Sequence, residues 1–281
     1  MKVRYSLIGV VFLFAAGLLF AVSSEANIDP GTIAGMWLFN EDGGDIAEDS
    51  SGNGNNGSLI NGAEWDDGKF DSGVALDGAA TYINCGNGPS LDITEEITIV
   101  SWAKFDAVDY KSSGGDLFSI GAKGYPDSES PHAGWWFSHD NRSNGQSFNY
   151  TCFGNENGGW SGGGNNFSGQ NYMFTNDEWY HLAITVGDSI GKLYINGEQL
   201  GAEKPFSNLV LSDTSMNLSI GSANGDWGFS GVIDEFAIFN VELEEEDIQA
   251  IMNEGLERAS NLIAVDSSSK ITTTWAKIKV Q

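Results

Sequence analysis

From residue 33 onward the chain is built of short apolar or alternating runs, each broken by Gly, Asn, Asp or Ser. Segments 35–39, 73–76, 82–85, 97–105, 117–122, 135–139, 148–153, 179–186, 192–195, 218–220 and 231–239 read as β-strands. Eleven such runs at this spacing predict an all-β protein of two stacked antiparallel sheets. Asn196-Gly197 between Leu193-Tyr194-Ile195 and Glu198-Gln199-Leu200 supplies the two positive φ angles of a type I′ hairpin. Asp77-Gly78 is a weaker hairpin signal of the same kind.

One helix is expected, after Asn240. Leu243, Ile248, Ile251 and Met252 form an apolar stripe, the acidic run 242–247 favours the helix dipole, and Gly255 stops it. Beyond it, Ser267-Ser268-Ser269 reads as a linker. Residues 271–280 are strand-like and carry a basic character through Lys270, Lys277 and Lys279. The stretch 141–176 is a long Gly/Asn/Ser-rich loop punctuated by aromatics, and loops of that length are usually functional.

The amino terminus has a different pattern. Lys2 and Arg4 precede an uncharged apolar run over 7–22, and Ser24-Glu25-Ala26 offers small residues where a signal peptidase reads them, so cleavage is expected after Ala26. An uncleaved anchor is the alternative, although the run is shorter than a membrane-spanning helix needs. The domain plan is therefore a signal peptide at 1–26, one sandwich domain at 27–258, and a linker with a basic tail at 259–281. Localisation is secreted or at the cell surface, with no membrane span in the mature chain.

Composition narrows the partners. The chain of 281 residues has 39 Asp+Glu against 13 Lys+Arg, a formal net charge of −26. Loss of Lys2, Arg4 and Glu25 on cleavage leaves −27. A field of that sign repels phosphate backbones, so nucleic acid is excluded as a partner, while an exported acidic protein is suited to calcium. Aromatics make up 12% and charged residues only 19%, which is the composition of a folded chain. The two cysteines, Cys85 and Cys152, allow one disulfide in an oxidising compartment, worth roughly 4 kcal/mol on the chain-entropy model. The alternative is two buried thiols.

Seven segments in sequence order, GMWLFNEDGG, DSSGNGNNGSL, KFDSGVALDGAATYI, ITIVSWAKF, EWYHLAITV, KLYINGEQL and GVIDEFAIFNVELEEEDIQAIMNEG, resemble the laminin-G-like, pentraxin-related jelly-roll domains of bacterial surface and secreted proteins. These belong to the concanavalin A-like lectin/glucanase group, and the resemblance covers residues 33–255. It implies two antiparallel sheets with a helix after the last strand. Its members bind glycans or proteins or build surface assemblies, and many bind calcium. Thr81 departs from the pattern, which often has an acidic residue there.

The loop Asp49-Ser50-Ser51-Gly52-Asn53-Gly54-Asn55 has oxygen ligands at alternate positions, as the first half of an EF-hand does, but Ile60 stands where the closing Glu belongs. A calcium site made from Asp49 and Asn53 needs a remote carboxylate, for which the resemblance nominates Asp234 or Glu235. The alternative is a tight Asx-type turn. The glucanase strand pattern Glu-x-Asp-x-x-Glu fails around Asp234, where Val232 and Ala237 occupy the flanking positions, so catalysis by this pair is not expected. His132, His139 and His181 lack zinc spacing, and His181 reads as a core residue.

Flat sugar faces stack on exposed aromatic rings. Trp160 among glycines, Trp227 in Asn224-Gly225-Asp226-Trp227-Gly228, and Trp136, which alternation sends to the face opposite Trp135 and Phe137, are the candidate ligand-binding residues. The reading is a secreted non-catalytic module for carbohydrate or surface glycoconjugate, with calcium as its candidate cofactor. The alternative is a structural or adhesive component that self-associates by adding the tail to a neighbour's sheet edge. A glycoside hydrolase is the third and weakest reading.

Overall fold

The computed structural model describes residues 28–78, 80–106, 117–124, 132–140, 147–148, 151–156, 165–212 and 215–260. The expected signal peptide, Trp160 and the basic tail lie outside these residues. In chain order the strands are β1 (Ile33–Trp37), β2 (Ile46–Ala47), β3 (Gly57–Ile60), β4 (Glu64–Asp67), β5 (Ser72–Asp77) and β6 (Tyr82–Asn84). The middle set is β7 (Ile97–Phe105), β8 (Leu117–Lys123), β9 (His132–Asp140), β10 (Cys152–Asn155), β11 (Asn165–Asn166) and β12 (Trp179–Gly187). The last are β13 (Ile190–Ile195), β14 (Glu198–Gln199), β15 (Lys204–Pro205), β16 (Leu209–Val210), β17 (Leu218–Ile220) and β18 (Ser230–Phe239), followed by helices α1 (Glu245–Glu254) and α2 (Leu256–Ala259).

They form two antiparallel sheets. The first runs β14-β13-β12-β7-β18-β5-β4, with β1 beside the second half of β18 and β15 beside β13. The second runs β11-β10-β9-β8-β17-β6-β3-β2, with β16 on β10. Between them lies one core in which Trp37, Phe105, Phe118, Phe137, Phe153, Phe229 and Phe236 are fully buried. Phe105 stacks on Phe174 at 4.3 Å and meets Phe118 edge-on at 5.8 Å.

The first sheet is buried on both sides. In β7, Ile97, Ile99, Ala103 and Phe105 belong to the core between the sheets, whereas Val100 points away. Val100, Ala183, Tyr194 and Ala237 pack instead against Leu243, Ile248, Ile251 and Leu256. Burying each of those aliphatic side chains contributes about 1.5–3 kcal/mol, which fixes α1 on this face. The helix starts on the acidic turn Glu245-Glu246-Asp247 and ends at Gly255, whose N–H closes the last turn on the Ile251 carbonyl and whose φ of 83° then turns the chain out of the helix. One further turn, α2, follows that stop and was not expected from the sequence.

Two expectations are corrected. Asn196-Gly197 does make a hairpin between β13 and β14, with φ of 51° and 76°, but Asp77-Gly78 leads from β5 in the first sheet to β6 in the second. It is a corner, tied by the Thr81 hydroxyl, which donates to Asp77 Oδ1 at 2.7 Å. Cys85 and Cys152 are buried and not joined. Cys85 belongs to the central core, while Cys152 packs with Ala122, Trp136 and Ala223 on the other side of the sheet. Three strands, β9, β8 and β17, also separate β10 from β6, a span of roughly 19 Å at the usual strand spacing. No disulfide bridges such a gap.

Candidate functional site

The outer face of the second sheet carries the aromatic candidates. Register places Cys152, Trp136, Ala122, Ser219, Asn84 and Ser58 in one row across β10, β9, β8, β17, β6 and β3. Trp136 is anchored within it, its indole N–H donating to Ser119 Oγ at 2.9 Å. At 2% exposure Trp136 lies beneath the surface of this face.

What covers Trp136 is the segment between β17 and β18. Asn224 and Gly225 take φ of 55° and 89°, closing a tight turn in which Ala223 and Asp226 exchange backbone hydrogen bonds of 2.8 and 3.1 Å. The Trp227 carbonyl accepts from the Ser119 N–H at 3.2 Å, holding the segment to β8. Trp227 itself adopts φ 55°, unusual for a large side chain, and its ring lies 6.4 Å from that of Trp136 at 42°. It remains 43% exposed, the one exposed Trp among the described residues. Gly225 abuts the ring of Tyr82, whose side chain is half-buried. The structure thus unites Trp136 and Trp227, far apart in sequence, as base and platform. The sequence reading missed Ser119 and Tyr82, but Asn224-Gly225 was a legible turn signal.

The Asp49–Asn55 stretch closes on itself and on β1. Asp49 Oδ1 accepts the N–H groups of Met36 and Ser51, both at 3.0 Å, and Oδ2 accepts Asn55 N–H and Asn55 Nδ2 at 2.9 and 3.0 Å. Asn53 Nδ2 donates to the carbonyls of Ile33 and Ala34. With Ser50 N–H on the Met36 carbonyl, the loop supplies the partners that a neighbouring strand would give the outer edge of β1. Asp49, Asn53 and Asp234 each have their own hydrogen-bond partners, and no group of three or more His, Cys, Asp or Glu side chains is gathered for a metal among the described residues.

Asp234 and Glu235 sit at a β-bulge in β18, where the register to β7 shifts between Asp234 and Ala237 and Glu235 takes φ 47°. Asp234 is fully buried. Its Oδ2 accepts Lys69 and Phe70 N–H at 2.8 and 2.9 Å and its Oδ1 accepts Glu235 N–H at 2.7 Å. Glu235 Oε2 accepts Leu256 N–H at 3.1 Å, pinning α2. Burial outweighs these donors, pushing Asp234 up to about 7 and Glu235 up to about 8. Each folded-state value lies above its unfolded one, so the stabilisation is complete below about pH 4 and is lost as pH rises through 7 to 8. Stability is therefore expected to fall by a few kcal/mol, on the order of magnitude set by these shifts, between pH 5 and 9. Urea midpoints across that range measure it, and Glu235→Gln should flatten the profile. An equal slope in that variant would mean that general charge repulsion, not this pair, sets the trend.

His181 is buried against Trp102 at 5.3 Å, and desolvation lowers its pKa to about 3. It is a neutral packing residue, as its place in a core strand suggested.

Comparison with known proteins agrees with this fold. The family model Laminin_G_3, described as the concanavalin A-like lectin/glucanases superfamily, matches residues 77–249. Among solved structures, domain 4 of AbnA, an extracellular GH43 arabinanase from Geobacillus stearothermophilus in complex with arabinotriose, is 19% identical. Its TM-score is 0.54 over 79% of this chain and 98% of that one. Trypanosoma rangeli sialidase is 14% identical with TM-score 0.52, covering 79% of this chain and 32% of the sialidase. The binding domain of Paraclostridial Mosquitocidal Protein 1 is 16% identical with TM-score 0.54, covering 80% and 52%. No curated protein matched the chain.

Proposed function

We propose, for a chain that belongs to the concanavalin A-like lectin/glucanases superfamily, that the outer face of the second sheet binds carbohydrate and that the protein works as a secreted, non-catalytic recognition module. The observation that carries this reading is Trp227, an exposed ring held in a strained backbone conformation on a buried, hydrogen-bonded Trp136. A ring fixed in that way loses little entropy when a sugar face stacks on it. Asn224 and Asp226, exposed in the same turn, and Tyr82 beside Gly225 offer polar groups that suit sugar hydroxyls. The likeness of the fold to an arabinanase domain solved with arabinotriose makes pentose oligosaccharides a sensible first probe.

A glycan array that includes arabino-oligosaccharides, read with the parent and Trp227→Ala, tests the proposal. The variant should lose about tenfold or more in affinity for whichever glycan the parent holds, as expected for an aromatic hot spot, with its melting temperature nearly unchanged. Equal retention of both proteins on every column would remove this face from the function.

A further inference from the structure

The row of outer-face residues beneath the aromatic platform continues past it to the edge of the second sheet. Beyond Ala122 and Ser219 it passes Asn84 on β6 and Ser58 on β3 and reaches Ile46 on β2, each opposite the next in register. Tyr82 and Ile60, two positions along the same strands, pair with one another on the same side. The intervening Ile83 belongs to the core and Leu59 packs against it, so this row and its flank face outward. Of the three large apolar side chains that stand exposed among the described residues, two mark the ends of this track: Trp227 at 43% and Ile46 at 45%.

Between those ends lie polar groups that the fold does not use. Asn84 Oδ1 accepts the Gly86 N–H at 3.1 Å, but among the described residues its Nδ2 group, the Ser58 hydroxyl and the Tyr82 hydroxyl have no hydrogen-bond partner. Each of the three residues is half-buried, and none of these atoms is sealed from solvent. Gly225 abuts the Tyr82 ring, so the platform and the track are continuous.

We propose that this track binds the interior of a linear polysaccharide, taking about four consecutive sugar units across the strands. The proposal rests on the carbohydrate reading of the Trp227 face and specifies its ligand. From β8, where the Trp227 segment is held, to β2 is four strand spacings, about 19 Å. Sugar units of an extended chain repeat at about 5 Å, close to the strand spacing of about 4.8 Å, so successive units meet successive strands. One end of the bound stretch stacks on Trp227, its hydroxyls meet Tyr82, Asn84 and Ser58, and an apolar sugar face at the other end rests on Ile46. A lone terminal sugar reaches only the first of these contacts, whereas a chain engages all of them for one loss of translational and rotational freedom.

Titration calorimetry of the full chain with arabino-, xylo- and cello-oligosaccharides, each from disaccharide to hexasaccharide, tests this. For the series that binds, affinity is expected to rise about tenfold or more between disaccharide and tetrasaccharide and then to level off. Tyr82→Phe with Asn84→Ala should remove most of that rise while leaving the disaccharide affinity within about twofold of the parent's. Ile46→Gln, at an exposed position, should weaken only the tetrasaccharide and longer chains, by about threefold. Trp227→Ala should weaken every length. The proposal is overturned, with the carbohydrate reading intact, if the disaccharide binds as tightly as the hexasaccharide and only Trp227→Ala matters, because the platform then holds a chain end by itself. If no series binds the parent the proposal also falls, and a blank glycan array then takes the reading with it.

Discussion

Replacing Asp49 with alanine is expected to lower stability by about 3–5 kcal/mol, the range for leaving buried donors without their charged partner. For a domain of this size that is a fall of roughly 10 °C in melting temperature. The size follows from what the carboxylate holds: three backbone N–H groups, from Met36, Ser51 and Asn55, and the Asn55 amide, all within 3.0 Å. Asn55 also donates to the Ala34 carbonyl and to Ser90 Oγ, so the loss spreads from the loop into β1. Running the parent and variant melts in chelator and in millimolar calcium separates this role from ion binding. If Asp49 acted by holding an ion, chelator would bring the parent down to the variant. If it acts through hydrogen bonds, the gap between the two curves stays the same in both buffers.

Gly231→Ala should cost a comparable amount, about 3–5 kcal/mol, or abolish soluble expression. Gly231 lies near the start of β18, the strand that joins β7, β5 and β1, with φ 138°. An added Cβ would run into the Lys104 carbonyl of the neighbouring strand, and that oxygen belongs to backbone that cannot turn aside. Relief would require β18 to move away from β7, its partner in the first sheet. Gly43→Ala is the matched control, since a Cβ there meets nothing within 4 Å and its effect should stay within about 0.5 kcal/mol. Urea unfolding of both variants decides the matter, and equal midpoints would refute the packing argument.

The parts of the fold legible in the sequence are those whose signal is local. β7 and β12 were plain because nine-residue apolar strands leave no other reading, and Asn196-Gly197 named its own turn. β2, β11, β15 and β16 were missed because two-residue pairings are made by their neighbours, not by their own composition. Asp77-Gly78 misled because a corner between sheets uses the same turn chemistry as a hairpin within one. The cysteines misled for a related reason: their count says nothing about which face of which strand each occupies. At the site, Trp227 was picked out by its setting in a Gly/Asn/Asp turn, but its dependence on Trp136 and Ser119 is a tertiary fact, created when β8, β9 and the segment after β17 meet. Asp49 was singled out as special, and its partners in the structure are amide hydrogens; a carboxylate ringed by Ser and Asn reads alike in sequence whether it faces a cation or N–H groups.

The cladding of the first sheet by α1 and α2 has a practical corollary. The described chain departs on the clad side, and the Trp227 platform faces the opposite way. A molecule captured on a chip or bead through the clad face of the first sheet would therefore present its aromatic platform to the flowing solution, whereas random amine coupling would orient only a fraction of molecules so favourably.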